Sequence, residues 1–358
     1  MSERGPSVSQ GTHTLPDAVT LFVGNKVYEG WEDVKITREL NSAASDFEVQ
    51  VTDKWRPDEE PWRIAAGEAV HIHVGTHSIL TGYVDKVSPS FSRTTKSIVV
   101  QGRSKTGDLV DCSVEGPSEY QGLTVKEMAD KVCKPFGISV SLIGDVGAAF
   151  PKITLQQGET VFALLDRLCR ERKLLMYPTY EGNLVISSLG TSVAASEIRQ
   201  GVNILGGSGT HDNSNRFSKY LVKGQNMGFL GDKEQAVGAL GEATDSGITR
   251  YRPLILLAEN NASDQSSQDR ASYEAGLRAG KALTAQVSVQ GWFQSNGKPW
   301  EINQLVFVDS GFLGLRRKML IQKVQFNKSG AGTLTEISLI REDAYGFKKN
   351  LKKEDPLG

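Results

Sequence analysis

Val70-His-Ile-His-Val-Gly-Thr-His-Ser-Ile-Leu-Thr-Gly-Tyr-Val-Asp-Lys-Val87 decides the fold class. Val70, Ile72 and Val74 alternate with polar residues, so a strand here buries one face and wets the other. Phe47, Val49 and Val51 repeat the pattern upstream, and Val19 to Val23, a Gly24-Asn25 turn and Lys26 to Tyr28 read as a short hairpin. Helical spacing is absent from Val19 to about Val100. Short antiparallel strands joined by Gly, Pro and Ser turns usually close into a barrel or sandwich, because closure removes exposed edges. The first domain is therefore expected to be all-β. Near Asn303 the order returns: Leu305 to Val308, then Lys318-Met-Leu-Ile-Gln-Lys-Val324, then Thr333 to Ile340. Two related β-barrels, one at each end of the chain, are expected.

Between them the period changes. Thr124-Val-Lys-Glu127 supplies a capping box before the apolar positions Val125, Met128, Ala129, Val132 and Cys133. The helix should end near Pro135 and Gly137. A second helix begins after Thr160, with Val161, Leu164, Leu165, Leu168 and Cys169 on one face. A shift of 36 residues aligns Thr124 with Thr160, Cys133 with Cys169, and Ile138 with Leu174 in the following strand. This reads as two helix-then-strand units, too few for a solenoid.

A Gly- and Asn-rich stretch ending near Arg216 is the expected domain boundary, and Gly206-Gly-Ser-Gly209 inside it reads as a linker. Strand patterning resumes at Tyr220 to Gly224, breaks from Gly228 to Gly247, and resumes from Tyr251 to Ala258. A helix of small residues is expected over Ser266 to Ala285. The expected fold is mixed α+β, mainly β: a flexible tail over 1–16, the first barrel over 17–105, and an α+β domain over 106–200. A second barrel with its Gly-rich insertion and helix follows over 201–345, and a basic tail over 346–358.

Lys and Arg total 41 against 42 Asp and Glu, a formal charge of −1, so no global field draws the chain to nucleic acid or anionic lipid. Three cysteines, Cys112, Cys133 and Cys169, are an odd number, as expected of reduced thiols. The first sixteen residues lack the apolar core of a secretion signal, and Leu254 to Ala258, the densest apolar run, is too short to cross a bilayer. Membrane insertion is not expected.

The chemical motifs each have a blander reading. His71, His73 and His77 could offer imidazoles to a metal, but no further ligand lies near in sequence, and a solvated strand face is favoured. Asp58-Glu-Glu60, between Pro57 and Pro61, reads as a loop. Gly276-Leu-Arg-Ala-Gly-Lys281 is one residue short of a phosphate loop, and Ala282 replaces its hydroxyl. No Gly-x-Ser-x-Gly elbow or Cys-His signature is present. Neither enzyme chemistry nor a cofactor is expected. Trp31, Trp55, Trp62, Trp292 and Trp300 read as barrel core or rim. Basic residues cluster at Arg316, Arg317 and Lys318, and again at Lys348, Lys349, Lys352 and Lys353, which together are the candidate partner-docking surface.

Several stretches resemble the baseplate hub proteins of Mu-like phages, the tail protein P family. They are Gly67-Glu-Ala-Val-His-Ile-His-Val with Leu80-Thr-Gly-Tyr-Val-Asp85, and Leu155 to Leu168 with Gly182-Asn-Leu-Val185. Asn215 to Gly224, Tyr251-Arg-Pro-Leu and the segment from Gly291-Trp to Trp300 add to the likeness, which extends from about Val19 to Tyr345. The resemblance implies a structural subunit of a contractile tail, in the virion baseplate and in host cytoplasm during assembly. It implies a homotrimer whose six barrels form a pseudo-sixfold ring. That ring would join the tail tube and adjacent baseplate proteins to the tail spike protein and let DNA pass without specific binding. Alternatives are the spike-base protein of a contractile secretion system and a cell-wall-degrading tail enzyme.

Overall fold

A computed structural model describes residues 18–24, 26–40, 42–52, 64–145, 147–172, 174–190, 192–223, 240–257, 264–342 and 344. The expected tails over 1–16 and 346–358, the loop around Asp58 and the residues Trp55 and Trp62 lie outside the described residues. Two compact units emerge: residues 1–206, 287–306 and 321–337, and residues 207–286, 307–320 and 338–358.

The chain opens with β1 (Val19–Val23) and β2 (Lys26–Tyr28), the expected hairpin, with Val23 opposite Lys26. Five strands follow: β3 (Asp33–Glu39), β4 (Asp46–Thr52), β5 (Ala69–Val74), β6 (His77–Phe91) and β7 (Lys96–Ser104). Their alternation is the cause of their packing. Val70, Ile72 and Val74 are buried on β5 while Ala69 and His71 face out.

The α+β segment holds α1 (Gly107–Asp111), β8 (Glu119–Leu123), α2 (Val125–Cys133), β9 (Val140–Ile143), β10 (Phe150–Thr154) and α3 (Val161–Glu171). β11 (Leu175–Pro178) and β12 (Leu184–Ser187) complete it. Thr124 and Glu127 form the expected capping box, and the Thr160 hydroxyl accepts from the Ala163 amide at the start of α3. Pro135 sits in a short 3-10 turn that ends at left-handed Gly137. Both helices turn their predicted apolar faces into one core, joined by Ile138 and Leu174 at the duplicated strand starts. Each large side chain so buried contributes about 1.5–3 kcal/mol.

Then come β13 (Ser192–Val193), β14 (Ile198–Arg199), β15 (Ile204–His211), β16 (Lys219–Lys223), β17 (Leu240–Thr244) and β18 (Pro253–Leu257). α4 (Asp264–Lys281) leads to β19 (Leu283–Gln290), β20 (Gln304–Ser310), β21 (Leu315–Ser329) and β22 (Gly332–Ile340).

Three expectations need correction here. Gly206-Gly-Ser-Gly209 is not a linker but the middle of β15, because its backbone groups pair with β19. The break from Gly228 to Gly247 contains β17, whose backbone pairs with β16 although Gly241 carries no side chain to signal a strand. The small-residue helix runs over 264–281 and stops short of Ala285, because Ala285 lies on β19.

Strand order in the main sheet is β15-β19-β22-β21-β3-β4-β7-β6-β5-β1-β2, and β20 lies beside β21. The same five-strand pattern therefore occurs twice. In sequence order, β3, β4, β5, β6 and β7 answer to β15, β19, β20, β21 and β22; in space both sets run first-second-fifth-fourth-third. The lengths agree too: β6 and β21 each have 15 residues, β7 and β22 each 9. A left-handed residue stands before the third strand of each set, Gly67 (φ 88°) and Asn303 (φ 61°). Gly67 N–H donates to the Val84 carbonyl on β6, and Asn303 N–H to the Ile321 carbonyl on β21. These two bonds set the matching positions of the repeats. Among the described residues the main sheet ends at β15 and β2, with no ladder closing it into a barrel.

The small sheet has the order β17-β16-β18, with β16 and β17 antiparallel and β16 and β18 parallel. α4 lies against β17 through Ala271, Ala275 and Ala279, all buried. A Cβ on Gly241 would fall 2.1 Å from the Ser267 backbone, so glycine is what permits this approach. The Gln268 side chain accepts from Glu242 N–H (3.1 Å) and donates to the Glu242 carbonyl (2.6 Å), satisfying β17 on its outer edge.

Candidate functional site

The candidate residues do not converge on one site. Arg316 and Lys318 are exposed at alternate positions of β21, while Arg317 between them is half-buried on the other face. Lys348, Lys349, Lys352 and Lys353 lie outside the described residues. The histidines part company as well. The Nδ1 atom of His71 lies 3.2 Å from the Thr81 hydroxyl, the His73 ring packs edge-on against Phe22 (5.1 Å), and His77 packs against Phe293 (5.2 Å). Burial, then the charge of His71, pushes the His73 imidazole below its usual pKa. Among the described residues no three His, Cys, Asp or Glu side chains are grouped to hold a metal ion. Gly276 to Lys281 lies inside α4, away from a helix start, where an anion would bind.

The polar side chains that do converge hold elements together. Arg38 of β3 is almost fully buried. Its Nη1 donates to both Glu301 carboxylate oxygens at 2.7 and 2.8 Å, its Nη2 donates to the Pro178 carbonyl at 2.6 Å, and its plane covers the Tyr180 ring at 3.8 Å. Burial opposes that charge, yet Glu301 holds the Arg38 pKa above its ordinary value. Burial and the negative Glu301 lift Tyr180 well above the usual phenol range. One arginine thus ties β3, the end of β11 and the segment before β20. Sequence reading missed it, because a lone Arg in a strand (Thr37-Arg-Glu39) looks like a solvent-facing residue.

Arg103 of β7 bridges Asp85 and Asp111, at 2.7 Å to each, joining β6 and β7 to α1. In the second unit the guanidinium of Arg216 clasps Asp245 at 2.9 and 2.8 Å and reaches Asn213 at 3.0 Å. Asn303, 1% exposed, accepts from Gly190 N–H and donates to the Ser187 hydroxyl and the Ser188 carbonyl. Trp31, Trp292 and Trp300 are buried.

Cavities are shallow in chemistry. One of about 270 Å³ is lined by Cys112, Tyr120, Lys131, Val132 and Phe136; one of about 260 Å³ by Asp212, Asn215, Glu274, Arg278 and Lys281. Burial pushes the thiols of Cys133 and Cys169 up to about 12, which removes them as nucleophiles near neutrality.

What the surface does offer is unpaired strand edge and exposed apolar side chains. Phe91 is 86% exposed at the end of β6. Val202 is exposed in the turn before β15 and Leu205 at the start of the strand, and Tyr251, Ile255 and Leu257 are exposed on or beside β18. β15 is exposed along nearly its whole length.

Three family descriptions match along the chain: "Mu phage baseplate assembly protein GpP-like, N-terminal" over 18–104, "Baseplate hub protein gp44-like, second domain" over 106–188, and "Mu phage baseplate assembly protein GpP, fourth domain" over 263–348. The chain is 32% identical over 360 residues to the baseplate hub protein gp44 of Escherichia phage Mu, covering 96% of this chain and 94% of that protein. Among solved structures it is similar to the 43 kDa tail protein of prophage MuSo2 from Shewanella oneidensis, with TM-score 0.84 and 36% identity over 92% of this chain and 99% of that one. A tail protein from Neisseria meningitidis MC58 matches with TM-score 0.76 and 23% identity over 93% and 98%. An E. coli type VI secretion component shares the fold at TM-score 0.57 and 10% identity, over 90% of this chain and 76% of that one.

Proposed function

We propose, for a chain that belongs to the baseplate hub protein family of Mu-like phages, that three copies form a ring of six related β units. The structural hub role in the phage tail, and a place in the virion tail, come with the family. The trimer is our reading, and the observation that carries it is the five-strand pattern repeated within one chain. A subunit with two equivalent β units presents six units when three chains meet, while the assembly keeps true threefold symmetry. Such a ring suits a junction between a sixfold tail tube on one side and a threefold spike on the other. The basic residues Arg316, Arg317, Lys318, Lys348, Lys349, Lys352 and Lys353 are proposed as its docking surface for neighbouring baseplate proteins.

DNA passes through the ring without being held. A net charge of −1 suits that role, since phosphate contacts retain DNA. The chain acts without catalysis and without a cofactor, and it assembles in the host cytoplasm before joining the tail. The domain boundaries proposed are 17–105 and 201–345 for the two β units and 106–200 for the α+β part.

Light scattering at micromolar concentration tests the trimer: three times the mass of one chain is expected, and a monomer overturns it. Peptidoglycan release by the purified protein would overturn the non-enzymatic reading, and tight, salt-sensitive binding of duplex DNA would overturn free passage. The secretion-system alternative has only the shared fold in its favour, at 10% identity against 32% to the phage hub.

A further inference from the structure

The small sheet of the second unit has two edges, and they are finished differently. On β17 the Gln268 side chain of α4 takes up the Glu242 N–H and carbonyl, at 3.1 and 2.6 Å. β18, at the other edge, carries no further strand among the described residues. The groups it leaves open follow from how it starts. Ser218 N–H donates to the Arg252 carbonyl and Arg252 N–H to the Ser218 hydroxyl, so the Arg252 backbone faces β16. Backbone groups of successive strand residues point to opposite sides, which turns those of Leu254 and Leu256 towards β16 and those of Pro253, Ile255 and Leu257 outwards. Pro253, with no N–H, stands where that lack costs no ladder bond. The N–H and carbonyl groups of Ile255 and Leu257 remain to receive another chain.

The side chains agree. Lys219 stands beside Pro253, Leu221 beside Ile255 and Lys223 beside Leu257. The opposite face of the sheet is occupied: Tyr220 and Val222 are buried, and Gly241, paired with Val222, meets the Ser267 backbone of α4. On the outer face Ile255 is 55% and Leu257 81% exposed, and Tyr251 is exposed just before the strand. An apolar edge strand with no charge of its own is one that folded chains normally cover.

The charges say what covers it. β16 and the stretch from Arg250 to Leu257 carry four cations, Lys219, Lys223, Arg250 and Arg252, and no carboxylate. Glu242 on β17 neutralises Lys219 (2.8 Å), and Arg252 turns its guanidinium to the Ser214 carbonyl (2.7 Å) and the Phe217 ring. Lys223 and Arg250, both exposed, make no ion pair among the described residues and stand at the two ends of the open edge.

We infer that β18 is the docking edge for an extended acidic segment of another tail protein. The segment adds a fourth strand beside β18, lays alternate apolar side chains over Ile255 and Leu257, and sets carboxylates against Arg250 and Lys223. In this mode of recognition main-chain hydrogen bonds give affinity and the alternate side chains give selectivity. A second β18 is a poorer occupant, because antiparallel pairing would set Arg250 of one copy near Lys223 of the other, like charge against like. The inference does not depend on the ring proposed above.

The test follows β18 in the full chain, first as purified protein and then within isolated tails. Amide exchange over 253–257 should be fast in the purified protein and about tenfold slower or more in tails. Protection already present in the purified protein would mean that this chain covers its own edge, alone or through a second copy, and overturns the inference. Equally fast exchange in both overturns it too.

The partner's chemistry is read by cross-linking. Leu257→Cys protein in a Cys112→Ser background, labelled with a benzophenone maleimide and built into tails, should link on illumination to another tail protein. The linked peptide, identified by mass spectrometry, should alternate apolar residues with Asp or Glu. A link to this chain alone, to a segment without carboxylates, or to nothing overturns the inference. Lys223→Glu, at an exposed position, should abolish most of the link while leaving the melting temperature of the purified protein unchanged, and an undiminished link counts against it. Should the labelled variants fail to enter tails, the exchange comparison on the unsubstituted chain decides alone.

Discussion

The junction of β3 with the outer half of β21, filled from Lys323 opposite Glu39 to Lys328 opposite Val34, contrasts with the open edges at the matching places, the outer half of β6 and the outer edge of β15, which carry no strand among the described residues. In the filled junction Phe326 pairs with Ile36 and both are fully buried, while the neighbouring Arg38 is held by Glu301, Pro178 and Tyr180. In the open one the corresponding stretches carry serine, glycine and proline with single exposed apolar groups at the ends. One edge is part of the folding core of the chain. The other is exposed, and polar enough to stand in water.

The largest effects should therefore fall on the filled junction. Arg38→Ala takes the guanidinium away from Glu301 and from the Pro178 carbonyl and should cost about 3–5 kcal/mol. Phe326→Ala, a truncation at a fully buried position, should cost a similar amount, about 3–5 kcal/mol. Ser88→Ala on β6 and Thr210→Ala on β15 should change the stability of the dissociated chain by no more than about 0.5 kcal/mol. Urea unfolding of the four variants checks the contrast. Comparable losses at all four positions would mean that the two junctions are not the filled and open versions of one design.

The left-handed residues offer a finer comparison. Gly67 and Asn303 perform the same backbone task, but Asn303 also spends its amide on Gly190, Ser187 and Ser188. Gly67→Ala meets nothing within 4 Å and should cost only the backbone term, about 1–2 kcal/mol. Asn303→Ala adds orphaned buried groups and should cost about 3 kcal/mol or more. Asn303→Gly, which keeps the backbone freedom, should recover only the smaller part. Thermal unfolding of the three variants separates the two contributions.

The second duplication, in the α+β part, sets Cys133 and Cys169 at equivalent helix positions, both with thiols pushed up to about 12 by burial. An unfolded thiol ionises near its ordinary value of 9.0. The sign follows: this contribution is fully present below pH 9.0 and is lost as pH rises towards about 12. Cys133→Ala should lessen the alkaline decline in stability, and Cys169→Ala should lessen it equally. At pH 8, a thiol reagent should label Cys112 alone, because only Cys112 is exposed. Labelling of either buried thiol in the folded protein, read by mass spectrometry, would break the equivalence.

Much of this was legible in the residues. Strict alternation exposed β5 and β6, the Thr124-to-Glu127 box exposed α2, and a 36-residue shift exposed its copy. The order of elements near Gly67 and Asn303 disclosed the two repeats. What stayed hidden was whatever long-range pairing decides. Gly206-Gly-Ser-Gly209 has no side-chain pattern, so only the ladder with β19 shows it to be a strand. Leu240 to Thr244 is a strand because β16 pairs with it and Gln268 satisfies its outer edge. Arg38 was silent for the same reason: its partners lie 140 and 263 positions away in sequence. Which of the clustered cations face water was also hidden, since Arg316 and Lys318 are exposed while Arg317 between them turns to the other face of the strand.

The smallest contrast lies at the two helix starts, where the duplication is closest in sequence and yet unequal in hydrogen bonds. The Thr124 hydroxyl accepts from Glu127 N–H, and the Glu127 carboxylate accepts from Thr124 N–H at 2.8 Å. The backbone and side chain of Thr124 together hold the Glu127 carboxyl below its usual pKa. Thr160 keeps only the forward bond to Ala163, because alanine replaces glutamate at the third helical position. Thr124→Ala should therefore cost about 1 kcal/mol and Thr160→Ala somewhat less, near the lower end of the range for caps. Ala163→Glu should restore the reciprocal bond and stabilise α3 by a few tenths of a kcal/mol, about the worth of an exposed helix-terminus interaction. If Thr160→Ala proves the costlier, the Thr160 hydroxyl is holding more than the helix start, and the two helix-strand units are not interchangeable copies.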